Sequence, residues 1–129
     1  MRYRTSGLFA LVTALSALPA LADAPSVAAF DPDKDGTIDL AEAQAAGAKL
    51  FATLDPDKDG TLDAKELGAR MDAAGLAAAD PDKDGTIDAK EFAAAIEARF
   101  TAADPDKDGT IDAKELGSKE GALLLQLMQ

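Results

Sequence analysis

A chain of 129 residues with 24 acidic and 13 basic side chains, a net charge of −11 and neither histidine nor cysteine is chemically restricted from the outset. It has no basic surface for a nucleic acid and no material for disulfides or soft-metal sites. It also has no imidazole or thiol on which to build a catalytic constellation, so an enzyme is not expected.

The first 22 residues read as an export signal. Arg2 and Arg4 give a basic start, Leu8 to Leu18 is an apolar run, and Ala20-Leu21-Ala22 fits a small-residue cleavage site. The run is short for a bilayer span and no stop-transfer pattern follows; an uncleaved amphipathic anchor is the alternative. The mature protein is then expected to begin near Asp23, to work in the periplasm and to have no membrane attachment after cleavage. Residues 23–129 form a single expected domain. Leu, Ile, Val and Phe make up just under a fifth of it, too few to hold a core against this much negative charge unless something cancels the charge.

From residue 31 the chain repeats itself. DPDKDGTIDLAE at Asp31 returns as DPDKDGTLDAKE at Asp55 and as DPDKDGTIDAKE at Asp80 and Asp104. Twenty of the 24 carboxylates fall inside these four windows, so the acidity is built into sites and is not spread as a solubilising coat. The spacers are alanine-rich, with apolar residues at helical spacing: Leu50, Phe51 and Leu54 in the first, Leu67 and Met71 in the second, Phe92, Ile96 and Phe100 in the third. One short helix per spacer is predicted, weakened by Gly47, Gly68 and Gly75. Beyond the last window Gly117 and Gly121 interrupt the chain, and Leu123 to Met128 is an apolar tail able to close a core.

Each window matches Asp-x-Asp-x-Asp-Gly with Glu in twelfth place, the pattern of an EF-hand calcium loop. Three carboxylates two residues apart can converge on one cation: Asp31, Asp33 and Asp35; Asp55, Asp57 and Asp59; Asp80, Asp82 and Asp84; Asp104, Asp106 and Asp108. The glycine in sixth place turns the chain, and Thr37, Thr61, Thr86 and Thr110 in seventh place offer their backbone carbonyls. Asp39, Asp63, Asp88 and Asp112 bind directly or through water, and Glu42, Glu66, Glu91 and Glu115 close the shell. The ninth- and twelfth-place residues also spell a helix capping box, a second role compatible with the first. Lys34, Lys58, Lys83 and Lys107 are expected to face solvent, and Ile38, Leu62, Ile87 and Ile111 to pair and pack between loops.

Pure oxygen ligation selects hard cations, and so many ligands suit magnesium badly. Calcium or a trivalent ion of similar radius remains. Five carboxylates leave three negative charges uncancelled around calcium and two around a trivalent ion, which leans toward the higher charge without deciding it, because the trivalent ion costs more to dehydrate. The proline in second place (Pro32, Pro56, Pro81, Pro105) limits the freedom of the loop, stops the preceding helix, or does both.

The export signal, four DPDKDG loops with Pro second and Asp ninth, spacers of only 12 or 13 residues and an apolar tail together resemble the lanmodulins, secreted lanthanide-binding EF-hand proteins of methylotrophic bacteria. The resemblance covers nearly the whole chain. It implies binding of up to four lanthanide(III) ions in preference to calcium, a weaker competitor. It also implies disorder without metal, and a place near a lanthanide-dependent alcohol dehydrogenase system or uptake machinery in the periplasm. In that family the fourth loop can be weaker, with Asn in first place; Asp104 is an intact carboxylate here. The resemblance further suggests that loops one and four, and two and three, approach each other.

The expected fold is all-α: a compact EF-hand-type three-helix bundle with four peripheral metal loops, adjacent loops sharing one short helix, as a monomer or a weak metal-dependent dimer. Two rival readings stay open, a periplasmic calcium buffer and a dockerin-like, calcium-dependent interaction module. A calmodulin-like sensor would need a methionine-rich groove, and after residue 22 the chain holds only Met71 and Met128.

Overall fold

The computed structural model describes residues 26–129, so the predicted export signal lies outside the described residues. The fold is all-α with four peripheral loops, as expected. Its helices are α1 (Leu40–Leu54), α2 (Ala64–Leu67), α3 (Ala73–Ala79), α4 (Ala89–Ala103), α5 (Ala113–Leu116) and α6 (Lys119–Leu125). Four strands of two or three residues, β1 (Ile38–Asp39), β2 (Thr61–Asp63), β3 (Thr86–Asp88) and β4 (Thr110–Ile111), lie in the loops.

The strands fix which loops meet. β1 pairs antiparallel with β4, setting Ile38 opposite Ile111, and β2 pairs with β3, setting Leu62 opposite Ile87. All four of these eighth-place side chains are fully buried, so each junction is closed by a β-branched or leucine pair as well as by backbone hydrogen bonds. The pairing suggested by the resemblance, one with four and two with three, is the one observed.

Each of the four helices that follow a loop starts on a capping box. In α1 the Asp39 carboxylate accepts from the Glu42 amide at 2.8 Å while the Glu42 carboxylate accepts from the Asp39 amide at 2.8 Å. The same reciprocal pair opens α2, α4 and α5. Helices α1, α3 and α4 end at Leu54, Ala79 and Ala103, where the proline two residues later forbids helical torsions to the aspartate between. Asp55, Asp80 and Asp104 accordingly leave the helix, with ψ of 71°, 76° and 74°, part-way to the extended region.

The middle spacer differs from its expectation. Spacers one and three each carry a single helix of 15 residues, about 22 Å long at 1.5 Å per residue. Between loops two and three there are instead α2, a 3-10 turn over Gly68–Arg70 and α3. Gly68 sits at φ 56°, ψ −131°, a region essentially closed to other residues, and Met71 is extended. Asp72 then starts α3 afresh, its carboxylate accepting from the Gly75 amide at 2.7 Å. Leu67 and Met71 are both buried as the helical spacing implied, but from two different elements.

Helices α1 and α4 form the centre of the molecule. Phe51 and Phe92 meet edge to face with ring centroids 5.5 Å apart. Gly47 lets the two helices close, since a Cβ there would collide with Ile96 Cδ1 and lie 3.2 Å from the carbonyl oxygen of Leu127. That carbonyl belongs to the tail, which crosses the α1–α4 junction as anticipated: Leu124, Leu125, Leu127 and Met128 are buried, and among the described residues Leu123 is the one large apolar side chain left exposed, at 41%. Ser118 caps α6 on the Gly121 amide at 3.0 Å, so Gly121 lies inside the first turn of a helix and does not interrupt the chain. Among the described residues no helix is long and apolar enough to cross a membrane.

Candidate metal centre

The four loops share one geometry. The first-place aspartate is nearly buried and spends both carboxylate oxygens on the turn: Asp31 accepts from the Gly36 amide at 2.8 Å and the Asp35 amide at 3.1 Å. Asp55, Asp80 and Asp104 do the same with Gly60 and Asp59, Gly85 and Asp84, Gly109 and Asp108. The sixth-place glycines make this possible, at φ between 81° and 87°. Lys34, Lys58, Lys83 and Lys107 are exposed, as expected, yet also take left-handed torsions of 61°, 55°, 54° and 56°. Nothing in a lysine announces that conformation, which Asn or Asp adopts more readily.

The side chains converge as a hard-cation site requires. In each loop one carboxylate oxygen from the first, third and twelfth places lies within 4.8 Å of the others: Asp31, Asp33, Glu42; Asp55, Asp57, Glu66; Asp80, Asp82, Glu91; and, joined by the fifth-place residue, Asp104, Asp106, Asp108, Glu115. Asp35, Asp59 and Asp84 stand outside these groups. Each fifth-place carboxylate is held by the following threonine, in loop one through the Thr37 amide at 2.9 Å and the Thr37 hydroxyl at 2.8 Å. Thr61, Thr86 and Thr110 repeat both bonds. The threonine hydroxyl is therefore a positioning group that the reading of seventh place as a carbonyl donor overlooked, although its recurrence four times was visible. Asp39, Asp63, Asp88 and Asp112 point one oxygen at the amide of the twelfth-place glutamate, between 2.7 and 2.8 Å, and are not in the convergent groups. The donor set is carboxylate oxygen throughout, which fits a hard cation that the first- and third-place aspartates and the twelfth-place glutamate of each loop could hold.

Crowding of like charges appears in the titration of the first- and third-place pairs. Burial opposes ionisation of Asp80 and Asp104, but hydrogen bonds from Asp82 or Asp106 and from the loop amides outweigh it, and both are lowered from the ordinary aspartate value. Asp31 and Asp55 are lowered on the same balance. Their partners move the other way: the bond to the first-place carboxylate, with burial and neighbouring charges, raises Asp33 and Asp57, and pushes Asp82 and Asp106 up to about 6. At Glu42 the Asp39 amide favours ionisation, yet burial and the charges of Asp33, Asp39 and Asp31 prevail and its pKa is raised.

A raised carboxyl stabilises the compact loop below the unfolded value near 3.8 and loses that contribution as pH rises through about 6. The lowered first-place carboxylate contributes above its ordinary value and loses this as pH falls. Between the two, each of loops three and four keeps one shared proton that a cation must expel. Binding of lanthanum at pH 5 is therefore expected to release about one proton from each of these loops, and almost none at pH 7.5. Calorimetry in buffers of different ionisation enthalpy measures this, and equal release at both pH values would contradict the shared proton.

Comparison with known proteins agrees with the geometry. The family model described as EF hand matches residues 48–71, 73–94 and 96–118, segments that contain loops two, three and four. The chain is similar to lanmodulin of Methylorubrum extorquens, 58% identical over 57 residues that cover 40% of this chain and 41% of that protein. The chain thus spans less than half the length of the curated relative it matches.

Proposed function

The chain belongs to the EF-hand family, and from that premise we propose that it binds trivalent lanthanide ions selectively and with high affinity, one per loop, and folds as it binds them. The observation that carries this reading is the fourfold convergence of first-, third- and twelfth-place carboxylates within 4.8 Å, with no nitrogen or sulfur donor in any group. The similarity to lanmodulin favours lanthanides within the class of hard cations. Bound ions supply the positive charge that the loops need. The chain's own residues orient the first- and fifth-place carboxylates through the loop amides and threonine hydroxyls, and present the twelfth-place glutamate from the first turn of a helix. Cancelling the loop charge lets α1, α4 and the tail pack, so that binding energy becomes folding energy.

The protein serves, on this reading, in lanthanide uptake, storage or trafficking in the periplasm, beside a lanthanide-dependent alcohol dehydrogenase system or uptake machinery, and is not itself an enzyme. Calcium buffering is the second reading. It is favoured by the fifth-place carboxylates of loops one to three standing outside the convergent groups and by the ninth-place carboxylates being engaged in helix caps, which lowers the charge converging there. Competition separates the two. Lanthanum is expected to bring the helical circular-dichroism signal to saturation with its midpoint shifted less than about tenfold by millimolar calcium; saturation by calcium alone at micromolar concentration supports the buffer instead.

A further inference from the structure

The break between α2 and α3 leaves one junction without the support the others have. Glu42 and Asp55, and likewise Glu91 and Asp104, stand at the two ends of one continuous helix, which sets the closing ligand of one loop against the opening ligand of the next. Glu66 and Asp80 have no such rod between them, only α2, a 3-10 turn and α3 meeting at an extended Met71. Arg99, on α4, spans this gap. Its Nη1 donates to the Arg70 carbonyl oxygen at 3.3 Å and to the Leu123 carbonyl oxygen at 2.6 Å, and its Nη2 donates to the Arg70 carbonyl oxygen at 3.4 Å. The same Nη2 lies 3.9 Å from where a Cβ on Gly75 would stand, over the first turn of α3. Arg70 in turn donates Nε and Nη2 to the Gln129 carbonyl oxygen at 3.2 and 3.0 Å. One planar guanidinium therefore grips the break and the tail from the helix that carries Glu91.

We infer that Arg99 is a positioning residue for metal loading of loops two and three, replacing by hydrogen bonds the continuous helix that those two loops lack between them. This rests on the metal-binding reading above and adds to it a residue outside all four groups of converging carboxylates. A general packing role would weaken all four loops together, whereas the clamp acts where the backbone is interrupted. Arg99 sits beyond Glu91 on α4, whose cap and strand β3 hold loop three independently at its own helix start; what Arg99 adds is the placing of α2, with Glu66, and of α3, which delivers Asp80.

The test uses the full chain labelled with nitrogen-15 and titrated with chelator-buffered lanthanum. The amides of Gly36, Gly60, Gly85 and Gly109 each donate to the first-place aspartate of their own loop, so their resonances report the four loops one by one. In Arg99→Met the free lanthanum needed to half-load Gly60 and Gly85 is expected to rise about tenfold, a size usual for removal of an outer supporting partner, with Gly36 and Gly109 shifting less than about twofold. Arg99→Lys keeps the charge but replaces the planar two-nitrogen fork by one nitrogen on a shorter stem, losing the second bond to the Arg70 carbonyl, and is expected to show the same split at about threefold. If Arg99→Met fails to fold at any lanthanum concentration, the lysine variant alone decides. Four glycines moving together, or none moving, overturns the inference in either variant. Failure of the unmodified protein to load lanthanum overturns the metal-binding reading instead, and the two failures are distinct.

Discussion

Stripping the protein with excess chelator at pH 7.5 is expected to abolish more than half of its far-ultraviolet helical signal. At that pH Asp82 and Asp106, raised to about 6, have lost their protons, and each stands in a group of three or four carboxyl groups within 4.8 Å of one another. Against this repulsion stands a small core: α1 packed on α4, four eighth-place side chains and the tail. Domains are stable by only about 5–15 kcal/mol in total, so a core of this size has little in reserve. Lowering the metal-free protein to pH 4.5 is expected to restore part of the signal, because protonation of the raised carboxyls favours the compact loop below about pH 6. Circular dichroism with and without chelator at the two pH values is the measurement. A full helical signal in metal-free protein at pH 7.5 would refute metal-coupled folding.

Gly121→Ala is expected to be among the most damaging substitutions outside the loops. The added methyl would collide with the carbonyl oxygen of Glu115 and lie 2.5 Å from that of Leu116. Both are backbone atoms, so no side-chain rotation relieves the clash; α6 must back away from α5 and take Leu124, Leu125 and Leu127 with it. Overpacking of this kind costs about 3 kcal/mol, which in a domain of this size lowers the melting temperature of the metal-loaded protein by roughly 15 °C. Gly117→Ala, four residues earlier, is the control: its Cβ would meet only the Ala113 and Lys114 carbonyl oxygens at 3.5 Å, ordinary contact distance, and its backbone is already helical. Thermal melts of the two variants test the contrast. Equal melting temperatures would mean that α6 does not sit where the glycine places it.

Much of this molecule is legible in the sequence because its repeats carry their own geometry. The caps, the sixth-place glycine turns and the buried eighth-place residues follow from local chemistry that the chain states four times, and the helix stops before Pro56, Pro81 and Pro105 from chemistry it states three times. What escapes is either conformationally special or distant. Leu67 and Met71 have helical spacing, yet Gly68 takes torsions open to glycine and the chain leaves the helix; the capping pattern Asp72 to Gly75 is the available signal of a new start. Left-handed lysines are dictated by the turn around them and not by the residue. Arg70 and Arg99 meet partners 59, 29 and 24 residues away, and no periodicity in the spacers marks either one. Spacing alone makes the third-place aspartates ligands, and their opposite titration from the first-place residues emerges only in the folded loop.

The order of strand pairing, first with last and second with third, nests one pair inside the other like brackets. Each long helix begins at one pair and finishes at the other, so cutting the chain at its midpoint severs both brackets and strands every β-segment from its mate. The architecture is consequently indivisible. One further loop unit added to this order would leave its strand without a mate.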